Sequence, residues 1–199
     1  MRAEDVETVV RIHLESFPGF FLSFLGPRFL RLLYRSIHDD PEGLALVEET
    51  DSRIEGFAVG VRRQAGFYRR LIRRRLFPFA WAALGAAGRR PSVVPRLLRA
   101  LRRPSEARVA AAEACLMSVA VLPGAEGGGV GRQLVEAFCR AMAGAGVEAV
   151  SLTTDADHND RTNAFYTRLG FTLARTFVTP EGRRMNEYCK RVRGEFESA

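Results

Sequence analysis

The sequence predicts an α/β protein with a mixed, mostly antiparallel sheet around one central parallel pair, helices on both faces and a basic helical insert. Three observations predict it. Two strand patterns, 112–122 and 147–153, are joined through a single helical pattern, 132–145. That is a β-α-β unit, which favours a parallel pair. Two hairpin patterns flank the unit and favour antiparallel neighbours. Two helical stretches precede the first hairpin, and their apolar faces need a sheet to cover.

Taken in order, 4–17 repeats apolar residues at helical spacing through Val6, Val9, Val10, His13, Leu14 and Phe17, until Pro18 and Gly19 interrupt it. A second helix is expected over 26–37, with Pro27 in its first turn and Phe29, Leu30, Leu33, Tyr34 and Ile37 on one face. A turn at 39–43 leads to a hairpin of 44–48 and 54–61 around 50–52. Gly56 and Gly60 inside its second strand permit a bulge or the close approach of another backbone. Residues 67–103 read as helical and basic, broken by Pro78, Gly85, Gly88, Pro91 and Pro95. Strand 112–122 ends at Pro123, and a glycine-rich turn covers 124–131. Helix 132–145 has an apolar face of Leu134, Val135, Phe138, Cys139 and Met142. Strand 147–153 follows, then a short helix over 159–169 stopped by Gly170. Strands 171–179 and 184–191, turned at 180–182, close the chain.

The 199 residues, 47% of them hydrophobic, suffice for a single domain over 1–199 with an insert at about 66–107. No stretch approaches the roughly 20 apolar residues of a membrane span, and the polar start, Met1 to Val10, is not a signal peptide. Cys115, Cys139 and Cys189 are odd in number and lack CxxC spacing. A disulfide framework or zinc site is therefore not expected, and a reducing cytoplasm is. His13, His38 and His158 show no ligand spacing, so no metal is expected. The net charge is +7, but 61–105 holds 13 arginines and no acidic residue, leaving the rest of the chain net negative. Such local basicity does not imply a nucleic-acid-binding domain.

The glycine-rich turn carries the first functional signal. Four glycines fall within five residues, Gly127, Gly128, Gly129 and Gly131, between a strand and a helix. Amides at a helix start lack intrahelical partners and favour anions. Glycines let a pyrophosphate come close to the backbone. The segment has no Gly-Lys-Ser/Thr ending and does not fit a Gly-x-Gly-x-x-Gly fingerprint. By itself it suits a phosphate-binding turn and a flexible surface loop equally.

With the strand end Val119-Ala120-Val121-Leu122-Pro123 before it, the run Glu126, Gly127, Gly128, Gly129, Val130, Gly131 resembles the acetyl-CoA motif of the GNAT superfamily of acyl-CoA N-acyltransferases. Glu126 stands where that family usually has Gln or Arg, so its carboxylate must point away from the phosphates or cap the helix. A second segment, Asn159 to Phe171, looks like the family's Asn-x-x-Ala-x-x-Phe-Tyr-x-x-x-Gly-Phe box, with Thr162 in place of Ala, and starts 33 positions after the first. The two together are far more specific than either alone.

The resemblance implies the GNAT fold and, as co-substrate, acetyl-CoA. It implies that Val119, Ala120 and Val121 bind the acetyl and pantetheine arm through main-chain groups, and that Asn159 contacts the same arm. Arg132 would add a contact to phosphate. Tyr166 would lie at the thioester sulfur and protonate the departing thiolate; otherwise it is a core aromatic with a bonded hydroxyl. Most such enzymes use direct attack by a neutral amine, so Cys115 need not be a nucleophile. Some members carry a Glu base where this chain has Cys115. Glu113, two residues earlier on the same strand face, is the expected base, with Asp155, Asp157 and His158 as further candidates. His13 either faces the acceptor cleft or is a partly buried structural histidine. The family's first strand is nearly absent from a chain starting Met1-Arg2-Ala3-Glu4-Asp5, so the sheet is expected to lack that edge strand or the chain to begin downstream of it.

The insert, with five arginines in 68–75 and an apolar run with Trp81, suits a membrane interface or an acidic acceptor; as a helical cover over the cleft it would instead pack Trp81 inward. The expected activity is N-acetyl transfer to a primary amine of a small molecule, an amino sugar or other anionic acceptor. The alternatives are a non-catalytic acyl-CoA sensor and an enzyme acting on a protein amine. A homodimer and peripheral membrane contact are further expectations; nucleic acid is not.

Overall fold

The structure, a computed structural model, describes residues 1–67, 70–71 and 112–194. Among these a short 3-10 turn, Ala3–Asp5, leads into α1, Val6–Ser16, followed by α2, Phe21–Leu25, and α3, Pro27–His38. The strands are β1, Gly43–Thr50; β2, Arg53–Val61; β3, Ala114–Val121; β4, Ala149–Asp155; β5, Thr172–Val178; and β6, Arg184–Arg191. Helix α4, Val130–Gly144, joins β3 to β4, and α5, Asp160–Arg168, follows β4. The six strands order as β1-β2-β3-β4-β6-β5, antiparallel except for β3 and β4. The predicted mixed sheet is therefore present. Helix α2 was not foreseen, and most of the predicted insert lies outside the described residues.

Two cores sit on the two faces. On one, Val9, Ile12, Leu30, Tyr34 and Ile37 from α1 and α3 meet Phe57, Val59 and Val61 of β2. On the other, Leu134, Val135, Phe138 and Met142 of α4 meet Ala58, Leu116, Val150 and Leu152. The alternation along β2 explains its glycines. Its large residues face α1 and α3, and Gly56, Ala58 and Gly60 face α4. A Cβ on Gly56 would stand 3.0 Å from Leu134 Cδ1 and from Val130 Cγ1, and one on Gly60 would stand 2.6 Å from Phe138 Cζ. Small residues here let α4 lie directly on the strand, the close approach expected from the sequence.

A bulge then turns β3. Gly60 pairs with Leu116 and Val59 with Ser118, so Met117 is an extra residue on β3. Its side-chain parity changes accordingly. Cys115 and Met117 pack on the α1–α3 side before the bulge, while Ala120 and Leu122 do so after it. Val119 and Val121 thereby turn toward α4. On its other edge β3 pairs with β4 only at Ala114–Val150 and Cys115–Ser151. Beyond that point the two parallel strands diverge, opening a cleft at their C-terminal ends, where open α/β sheets place ligands.

Candidate functional site

Two cavities occupy this cleft. The first, of about 510 Å³, lies between the glycine-rich turn and α5. Val119, Ala120, Val121, Glu126, Gly127, Gly129, Val130, Gly131, Arg132 and Tyr166 line it. Helix α4 builds its floor. Gln133 N–H donates to Gly129 O at 3.0 Å, so the amides of Val130, Gly131 and Arg132 have no intrahelical acceptor. Gly127 and Gly129 hold φ of +88° and +87°, in the left-handed region where a Cβ is penalised. Gly128, expected with them, is not among the lining residues.

Charge around this cavity is arranged for an anion. Glu126, the departure from the family motif, is paired by Arg161 at 3.3 Å and does not face the amides unopposed. Arg132 pairs with Glu136 at 2.7 Å along the helix. Arg161 and Arg168 complete the rim.

The second cavity, of about 340 Å³, lies on the other side of the bulge. Helix α2 and the chain leading to it supply Phe17, Phe20, Phe21 and Leu22; Met117, Thr153 and Met185 face them. Asp155 and Arg183 meet across it, with Nη2 at 2.6 and 2.7 Å from the two carboxylate oxygens. The Arg183 guanidinium also stands 5.9 Å over the Phe20 ring. Asn159 lines this cavity and not the first, and its Nδ2 donates to Asp155 O at 3.3 Å.

Phe17, Val119, Thr162 and Tyr166 belong to both cavities, so the two meet at them. Tyr166 is buried and held by the rings of Phe165 at 5.1 Å and Phe171 at 5.7 Å, both edge-on. Burial pushes its phenol up to about 12, so it is a protonated donor across the ordinary pH range. Burial likewise pushes the Cys115 thiol up to about 12, which makes it a poor nucleophile.

The expected base, Glu113, stands before β3 and pairs with Arg63 at 3.1 Å. It lines neither cavity. Val119 lies six residues further on, about 20 Å along an extended strand. Sharing a strand face does not bring two residues to one site when they sit at opposite strand ends. Of the other candidates, Asp157 pairs with Arg184 at 2.8 Å, while Asp155 and His13 do line the second cavity. The aromatic wall from α2, together with Arg183 and Met185, was missed by sequence reasoning. Phe20, 45% exposed, packs edge-on against Phe17 at 5.3 Å in that wall.

Among the described residues, no group of three or more His, Cys, Asp or Glu is placed to hold a metal ion, and no helix is long and apolar enough to cross a membrane.

A family model described as Acetyltransferase (GNAT) family matches residues 6–171. The fold is similar to that of a solved structure named SsHAT, at 24% identity and a TM-score of 0.65, covering 96% of each chain. It is similar to the ribosomal-protein-S18-alanine N-acetyltransferase of Escherichia coli, at 16% identity and a TM-score of 0.59, over 100% of this chain and 95% of that one. It is also similar to a PaiA N-acetyltransferase of Thermoplasma acidophilum in complex with coenzyme A, at 15% identity and 0.55, over 96% and 95%. No curated protein matches in sequence.

Proposed function

The chain belongs to the GNAT acetyltransferase family, and we propose that it moves an acetyl group from acetyl-CoA to a primary amine of a small molecule by direct attack. The observation that carries this reading is the junction of two cavities at Tyr166. The first cavity fits the coenzyme: left-handed glycines and bare amides for a pyrophosphate, arginines on its rim, and the β3 backbone from Val119 to Val121 for the arm. The second takes the amine. Its aromatic wall suits a flat or apolar body, including the C–H face of an amino sugar, and Arg183 suits an anionic group on it.

Each side chain has a task at the junction. A main-chain amide beside the β3 bulge stabilises the carbonyl oxygen as charge develops there. Tyr166 gives its proton to the sulfur as the C–S bond breaks. The divergence of β3 from β4 lets the amine reach the thioester from the opposite side.

The test has two arms. Calorimetry with acetyl-CoA should show binding. Thiol release should then exceed background with at least one of glucosamine 6-phosphate, 2-phenylethylamine and a short peptide with a free N-terminus. The first two support a small-molecule acceptor and the third a protein amine. Binding without thiol release on any amine refutes the enzyme and leaves an acyl-CoA sensor.

A further inference from the structure

Among the described residues one buried side-chain nitrogen finds no hydrogen-bond partner, His13 Nε2. An orphaned buried polar atom carries its full desolvation cost, so its place calls for a ligand or a function. The ring sits on α1, is 3% exposed, and lines the second cavity. Its orientation is fixed from behind. Nδ1 lies 2.5 Å from Tyr34 Oη, and Tyr34 is in turn hydrogen-bonded to Ser118 on the β3 bulge. The Phe17 and Tyr34 rings pack against it at 4.9 and 5.7 Å. With Nδ1 held by Tyr34 on α3, Nε2 is the ring nitrogen without a partner, on a ring that lines the cavity.

We propose that His13 Nε2 takes the proton released by the attacking amine, an assignment that rests on the acetyl-transfer reading. The tautomer it needs has Nδ1–H donating to Tyr34 Oη, leaving a lone pair on Nε2. The amine lone pair forms the C–N bond at the thioester carbonyl carbon while the C=O π pair moves to oxygen. The nitrogen, its lone pair now in a bond, is strongly acidic and passes one proton to Nε2. The oxygen pair returns, the C–S bond breaks with its electrons on sulfur, and Tyr166 protonates the sulfur. The proton on Nε2 returns to Tyr166 through cavity water. Each turnover thus carries one amine proton to the CoA thiol and leaves both side chains unchanged.

The surroundings keep the imidazole neutral. Burial alone lowers its basicity, to about 4. Asp155 and Arg183, the charged groups on the same cavity, pair with each other. Glu7 on α1 and Arg31 on α3 pair on the exposed side of those helices. β2 and β3 turn Phe57, Val59 and Met117 to this core. A weak base suffices because the proton leaves a nitrogen made acidic by bond formation.

The test uses His13→Gln and His13→Asn in the full chain, assayed by thiol release with whichever of the three amines is fastest on the wild type. We expect kcat to fall about 100-fold or more, the usual weight of a positioned base. The acetyl-CoA Kd should change less than about threefold, because His13 lines the second cavity and not the first. A variant that binds acetyl-CoA and keeps kcat within about threefold overturns the proposal. A second measurement needs no variant: 15N NMR of the wild-type ring at pH 7. Nε2 must be unprotonated and Nδ1 protonated; the reverse tautomer overturns the proposal even if both variants fail to fold. Failure of the parent reading looks different, since the wild type then releases no thiol with any amine.

Discussion

Replacing Tyr166 by phenylalanine removes one oxygen from the point where the two cavities meet. Its effect can be worked from the burial that surrounds it. A phenol near 12 facing a thiol of ordinary pKa ~8.5 would give up its proton against a gap of roughly 3.5 units, about 5 kcal/mol. A thiolate formed beside this buried ring is desolvated as well, which raises the thiol and narrows the gap. Proton donation of that kind is worth about 100-fold at the lower end of its usual range, or ~2.7 kcal/mol of barrier. Tyr166→Phe should therefore lower kcat about 100-fold with the KM for acetyl-CoA nearly unchanged, because the hydroxyl acts on charge that develops only at the transition state. The Phe165 and Phe171 rings hold the remaining ring, so the melting temperature should hold. Thiol release under saturating amine, with calorimetry of acetyl-CoA on the same preparation, reads both quantities. A kcat within about threefold of wild type would refute the donor role.

Three further outcomes follow from the geometry. Gly129→Ala puts a Cβ on a residue with φ +87°, at about 1–2 kcal/mol of strain in the turn under the phosphates; the acetyl-CoA Kd should rise about tenfold by calorimetry, and a Kd within twofold would contradict the amide cradle. Gly60→Ala would drive a Cβ into Cys115 O and to 2.6 Å from Phe138 Cζ, so urea denaturation should show a loss of about 3 kcal/mol or more; an unchanged midpoint would contradict the packing of α4 on β2. His13 titrates near 4 when folded and near 6.5 when unfolded, so the unfolded chain binds more protons between those values. Its share of stability is whole above pH ~6.5 and falls by about 3 kcal/mol as the pH drops toward 4. Urea curves at pH 7 and 4.5 should lose that part of their difference in His13→Gln, and an identical pH dependence in the variant would contradict the burial.

Much of the sheet was legible because its signals are local. The alternation around Gly56 and Gly60, the strand–glycine–helix run into α4, and the stop at Gly170 each read directly as backbone geometry. The parallel pair followed from one intervening helix. What the sequence hid depends on long-range packing. Helix α2 is five residues, too short for a helical period to show, yet it walls the second cavity. The Met117 bulge changes which β3 residues share a face, and no residue type announces it. The distance of Glu113 from the cleft was hidden for a related reason: face was readable from spacing, but the end of the strand at which the cleft opens depends on where β3 and β4 part. Asn159, expected on the coenzyme arm, lines the second cavity, where its Nδ2 donates to Asp155 O. Arg161 as the partner of Glu126 is 35 residues away in sequence and could be found only in three dimensions.

The most direct test of the central claim is a crystal structure of the protein with acetyl-CoA. The pyrophosphate oxygens should lie within about 3.2 Å of main-chain amides between Gly127 and Arg132. The sulfur should sit in contact with Tyr166 Oη at the mouth of the acceptor cavity. A coenzyme whose pyrophosphate rests away from that turn, or whose sulfur lies beyond the reach of Tyr166, would contradict it.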